Sequence, residues 1–195
     1  MTKKCELIVI GGSWGGLNAV TKILEGLPKQ FSIPIVVILH RGKHYQSYLE
    51  SLLQAKVAVH VKEAEEKEKI LAGYVYLAPA NYHLLIEEDR TFSFDLSAPV
   101  HYSRPSIDVT FESVAEVFGK RATGVILTGA NQDGATGLHV IAVGGGITVV
   151  QDPAEAESSV MPQAALDKSL SHHVLPLAQI NFFLMELHSG SRMVN

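Results

Sequence analysis

Unbroken apolar runs alternate with apolar residues at helical spacing along most of this chain. Leu7-Ile8-Val9-Ile10 ends at Gly11-Gly12, the pattern of a strand covered on both faces. Leu17, Val20, Leu24 and Leu27 then mark a helix that Gly26 and Pro28 stop. Ile35 to Leu39 is a second buried strand, ending at His40. Tyr45, Tyr48, Leu49, Leu52 and Leu53 line one face of a second helix. A βαβα opening predicts an α/β fold: a doubly wound, mostly parallel sheet with helices on both faces.

The middle of the chain breaks this rhythm. Tyr74 to Leu77, His83 to Ile86 and Phe92 to Phe94 are short strand candidates. The last two flank Glu87-Glu88-Asp89-Arg90 and predict a small antiparallel hairpin. Glu63 to Lys69, of mixed charge, reads as a solvated connection. After Pro105 the alternation resumes. Ile107, Phe111, Val114, Ala115 and Phe118 predict a helix, Gly124 to Thr128 a strand, and Gly129 to Gly134 a loop into another helix. A strand over Ile147 to Val150, a helix over Pro162 to Leu170, an edge strand over Val174 to Leu177 and a helix over Ile180 to Leu187 complete the pattern. Gly144-Gly145-Gly146 reads as a helix stop, since no phosphate-loop lysine follows it.

Composition narrows the class. The 195 residues suit one α/β domain spanning 1–195, and 47% hydrophobic content supports a real core. A net charge of −4 argues against nucleic acid as the main partner. No apolar stretch approaches the ~20 residues a membrane span needs, and the first apolar run is too short for a signal peptide. A cytoplasmic protein is expected, with Cys5, the single cysteine, a small buried hydrophobe.

In an open parallel sheet, chemistry gathers beyond the carboxyl ends of the strands. Those ends carry Ser13, His40, Asp133 and Asp152, so a hydroxyl, an imidazole and two possible carboxylates can meet on one edge. Serine attacks only when a base takes its proton, and the imidazole needs a carboxylate to fix its tautomer. Ser13 sits in Gly11-Gly-Ser-Trp-Gly-Gly16, a turn that presents its hydroxyl at a helix start, where free N–H groups favour an oxyanion. The G-x-S-x-G pattern is weak by itself, and the order Ser, His, Asp differs from the usual α/β-hydrolase order.

A nucleotide site competes, because Ile8 to Val20 resembles a dinucleotide fingerprint. Against it, Ser13 replaces the middle glycine, and the second strand ends in His40-Arg41 where a ribose-binding acid belongs. His40 and His44 stand four apart, but no third metal ligand accompanies them, so neither metal nor cofactor is expected. Arg104 reads as an acidic-substrate contact or a structural salt bridge, and Trp14 as a wall of the site or as core. His83 and His101 are placed near the cleft without a role, and of His172-His173 one ring is expected packed and one in solvent.

With these residues in view, the chain resembles the catalytic domain of the chemotaxis receptor methylesterase family (CheB). The similarity runs from about Glu6 to Leu177. It rests on Ile10-Gly-Gly-Ser-Trp-Gly-Gly16, Ala78-Pro-Ala-Asn-Tyr-His83, Ser103-Arg-Pro-Ser-Ile-Asp-Val109, Leu127-Thr-Gly-Ala-Asn-Gln-Asp-Gly-Ala135, Gln151-Asp152 and Met161-Pro162. The resemblance implies a triad of Ser13, His40 and Asp133, leaving Asp152 structural or a support to the residues that touch substrate. It implies hydrolysis of glutamyl γ-methyl esters, with deamidation of glutamine by the same route. Methylated receptor helices would be the substrate, and the backbone N–H groups of Trp14 and Ala130 are candidates for the oxyanion hole.

Three departures stand out. Trp14 replaces the family's common threonine, and Ala130-Asn131 replaces methionine-glycine. Only five residues precede the matching region, so control by an attached receiver domain is not expected, and a separate receiver protein is the alternative. A non-catalytic binding module with the same fold is the rival reading.

Overall fold

A computed structural model describes residues 5–41, 48–169 and 172–190. Tyr45 and His44, named above, lie outside these residues, as does Leu170. The described chain forms β1 (Leu7–Gly12), α1 (Gly16–Glu25), β2 (Ile35–Leu39), α2 (Leu49–Gln54), β3 (His60–Glu63) and β4 (Tyr74–Leu77). The hairpin strands β5 (His83–Ile86) and β6 (Phe92–Asp95) follow, then α3 (Ile107–Phe118) and β7 (Ala122–Ile126). The chain continues through α4 (Ala135–Val143), β8 (Ile147–Gln151), α5 (Val160–Lys168), β9 (His173–Leu175) and α6 (Leu177–Ser189).

Seven strands make one parallel sheet in the order β3-β4-β2-β1-β7-β8-β9, and β5-β6 is a separate antiparallel pair. The predicted fold class therefore holds. Its centre, β1, is buried at every position because helices cover both faces of the sheet. On one face, Ile23 and Leu24 of α1 and Phe183 and Leu184 of α6 join a core with Ile8 and Ile10. On the other, Phe111 of α3, Leu138 of α4 and Met161 of α5 pack with Leu7 and Val9, and the hairpin adds Leu84 and Phe92. Strand order reverses between β1 and β7, which makes their carboxyl ends the expected place for a ligand.

Several expectations shift. β3 was not foreseen: it is a short edge strand with one buried side chain, Val61, and so lacks an apolar run. The connection expected from Glu63 onward begins at its last residue, and Lys62 pairs there with Glu65 and Glu68. β7 lies two residues earlier than predicted, at Ala122–Ile126. Beyond it, the Thr128 N–H turns to the Gln151 side chain and the Gly129 N–H to the Ser158 carbonyl, so the chain leaves the ladder. α5 starts before Pro162, which its first turn tolerates because N–H groups there have no intrahelical acceptor. α6 starts directly after Pro176, so Leu177 belongs to the helix and not to the edge strand.

Candidate active site

The turn after β1 places Ser13. Gly12 is paired with Leu39 in the β1–β2 register, so Ser13 and His40 leave adjacent strands side by side. The His40 N–H donates to the Gly12 carbonyl at 3.3 Å, and the Ser13 N–H to the Thr128 carbonyl at 3.0 Å. Gly15 adopts φ 76°, a left-handed conformation that turns the chain into α1. A methyl group at Gly11 would lie 2.4 Å from Ile107 Cγ2, so bare backbone lets the start of α3 approach β1.

Asp133 comes from the loop after β7 and is fully buried. Its carboxylate accepts four hydrogen bonds: from His40 Nε2 at 2.7 Å, Ser106 Oγ at 2.8 Å, and the Ile107 and Asp108 N–H groups at 2.7 and 3.0 Å. The last two are free donors at the N-terminus of α3, where the helix dipole also favours negative charge. Burial pushes the Asp133 pKa up. The His40, Asp108, Ile107 and Ser106 bonds outweigh it and hold the carboxyl below its ordinary value. Asp108 moves the other way: burial, above all, raises its pKa, and the Asp133 charge adds to the rise.

An ionised Asp133 can only accept, so His40 Nε2 carries a proton, and in the neutral ring the lone pair sits on Nδ1. That Nδ1 lies 3.2 Å from Ser103 Oγ. The Ser13 hydroxyl has no hydrogen-bond partner among the described residues, so His40 and Asp133 are joined while Ser13 stands beside them unbonded. Catalytic hydrogen bonds are often long before substrate arrives. The N–H groups of Trp14 and Ala130 also have no acceptor among the described residues, and both residues are exposed.

Trp14 is 65% exposed, which rules out core packing. Its carbonyl accepts from Thr128 Oγ1 at 2.9 Å, tying the serine turn to the end of β7. Asp152 stays out of the site: its carboxylate accepts the Ala154 N–H at 2.9 Å in a turn after β8. Arg104 pairs with no carboxylate among the described residues. It donates instead to the Leu96 and Ser97 carbonyls and to Asn81 Oδ1, holding the loop after the hairpin. His83 is buried behind the site, its Nδ1 accepting the Ser106 N–H at 3.1 Å. His101 lies at the rim, 3.5 Å from Asp108. His172 is buried against Thr148 and His173 is exposed, as expected.

Sequence reasoning left Ser103 and Ser106 without roles, although both fall inside a quoted segment. Ser106 was detectable in principle, as a serine one residue before an apolar helical repeat is a capping signal. Ser103 carried none. The dinucleotide reading loses ground here, because the Glu157 carboxylate lies against Gly15, where a pyrophosphate would bring like charge.

The chain is similar to known proteins over nearly its whole length. The CheB methylesterase family matches residues 8–184. A Leptospira interrogans protein, provisionally named protein-glutamate methylesterase/protein-glutamine glutaminase, is 51% identical over 186 residues, covering 95% of this chain and 96% of that one. A Carboxydothermus hydrogenoformans protein-glutamate methylesterase/protein-glutamine glutaminase is 39% identical over 180 residues, and the match spans 53% of its length. The crystal structure of the Thermotoga maritima CheB methylesterase catalytic domain superposes with a TM-score of 0.89 at 32% identity, covering 94% of this chain and 99% of that one. A fold, a strand-end dyad and a sequence match over nearly the whole chain thus converge, and the chain belongs to the CheB methylesterase family.

Proposed function

We propose that residues 1–195 act as one catalytic unit in which Ser13, His40 and Asp133 hydrolyse glutamyl γ-methyl esters on receptor helices. The observation that carries this reading is the 2.7 Å His40–Asp133 bond, made where β2 ends beside Ser13. Ser13 Oγ attacks the ester carbonyl while its proton passes to His40 Nδ1. The tetrahedral oxyanion is held by the Trp14 and Ala130 N–H groups. Collapse breaks the bond to methoxide, which leaves as methanol with the proton from His40. Water then repeats the cycle on the glutamyl-enzyme and restores Ser13 and a glutamate. Throughout, Asp133 holds the Nε2 proton and stabilises the imidazolium. A glutamine amide fits the same steps with ammonia leaving, and the names of the Leptospira and Carboxydothermus relatives, which include glutaminase, support that second substrate.

The site works with side chains and backbone N–H groups alone, without a cofactor. Its partner is a methylated receptor helix, and a separate receiver protein is the candidate regulator. Cys5, a single unpaired thiol, suits a reducing cytoplasm. Methanol release from a methylated receptor fragment tests the reading. Ser13→Ala should abolish release while far-UV circular dichroism stays unchanged; equal release by the variant would remove Ser13 from the mechanism. A sulfonyl fluoride separates the enzyme from a non-catalytic binder. An enzyme is labelled at Ser13 in a His40-dependent way, and a binder is not labelled at any serine.

A further inference from the structure

His40 has one lone pair with which to accept the Ser13 proton, and in this structure a different serine occupies it. With Nε2–H donated to Asp133, the hydrogen bond between Ser103 and the neutral His40 ring at 3.2 Å has one direction: the Ser103 hydroxyl donates and Nδ1 accepts. Ser103 Oγ in turn receives an N–H from Asn131 at 3.4 Å, which polarises it further as a donor. Its backbone is held as well. The Ser103 N–H donates to the Val100 carbonyl at 2.8 Å and the Val100 N–H returns the bond at 3.1 Å, closing a tight turn.

That turn is an expensive one. Its two central residues, His101 and Tyr102, have φ of 46° and 61°, a region that residues other than glycine, asparagine, aspartate and histidine seldom adopt, so the strain falls chiefly on Tyr102. The strain keeps a hydroxyl against the base and leaves Tyr102 wholly in solvent. The hydroxyl also has somewhere else to go. The His101 carbonyl lies 3.3 Å from Ser103 Oγ, so rotation about the Cβ–Oγ bond moves the proton from Nδ1 to that carbonyl without moving any heavy atom.

We propose that Ser103 caps the proton-accepting nitrogen of His40, so that Ser13 must displace the Ser103 hydroxyl onto the His101 carbonyl before it can be deprotonated. The proposal rests on the triad reading above. In the resting site the Ser103 proton fills the Nδ1 lone pair, and Ser13 is unactivated. In the competent site Ser103 donates to His101, Ser13 donates to Nδ1, and attack moves the Ser13 proton to that nitrogen. Ser103 is therefore a positioning residue that holds the base in reserve.

The test is the rate at which a fluorophosphonate phosphonylates Ser13 in the full chain, where the Ser13 oxygen displaces fluoride from phosphorus and its proton passes to His40. Ser103→Ala should raise this rate about threefold to tenfold, the bias one neutral hydrogen bond imposes on an equilibrium. Ser103→Thr keeps a hydroxyl and should stay near the parent rate. In nitrogen NMR, Ser103→Ala should shift His40 Nδ1 towards an unbonded lone pair while Nε2 stays protonated. An unchanged or slower rate in Ser103→Ala, with the fold intact, overturns the cap. A slower rate in particular would make Ser103 a support for the base. Labelling absent from Ser13 in parent and variants alike, or falling on Ser103, overturns the triad reading itself.

Discussion

Asp133 keeps its charge without solvent because the start of α3 supplies what water would have supplied. Its folded pKa is depressed, so its contribution to stability is complete above the unfolded value of about 3.9 and is lost as pH falls through the lower folded value. Urea unfolding between pH 2 and 6 should therefore show the parent losing stability in acid over a window where Asp133→Asn changes little. At neutral pH the asparagine variant should be less stable by about 2–4 kcal/mol, since an amide cannot accept all four bonds and turns an N–H towards other donors. It should also release methanol at least about a thousandfold more slowly, through loss of the tautomer that leaves Nδ1 unprotonated. A variant with parent activity would show that Asp133 only anchors the helix. Ser13 and His40 could be nominated from strand ends, because polar residues close behind apolar runs stand out in a sequence; Asp133, further along its loop, stayed one of two candidates beside Asp152. Ser103 could not, as its position beside His40 depends on a two-residue turn that no periodicity marks.

Among the elements, α3 matters most to the site, since its first turn holds Asp133 and its body packs on both β1 and α4. Gly11 is where that packing is tightest. Gly11→Ala would set a methyl group 2.4 Å from the branched side chain of Ile107 and force the helix start away from the strand. We expect a loss of about 1–3 kcal/mol from overpacking, together with a fall in kcat, because the Ile107 N–H that moves is one of the Asp133 donors. Unchanged kcat with reduced stability would uncouple the helix position from catalysis. The same element shows what pattern reading can reach. Helical spacing located Ile107 to Phe118, whereas β3 went unseen because an edge strand with one buried residue has no apolar run to read.

Across the whole molecule, the sheet brings together residues separated by 93 positions, His40 and Asp133, at the edge where strand order reverses. The only tryptophan stands at that edge and not in the core. Trp14 fluorescence should then be quenched by acrylamide almost as readily in the native protein as in urea, and a methylated receptor fragment should protect it. Strong native shielding in the absence of substrate would contradict the exposed position. No helix among the described residues is long and apolar enough to cross a membrane.

Ser13 on its glycine turn, the alternation of buried strands and amphipathic helices, and hence the doubly wound sheet were determined by the sequence itself. They follow from local spacing, and local spacing is what a chain carries openly. Pairing His40 with Asp133 and not Asp152, placing Trp14 in solvent, and setting Ser103 on His40 Nδ1 were decided only by tertiary structure. Each depends on which loops meet at the sheet edge, and that is set by strand order and crossover packing between segments far apart in the chain.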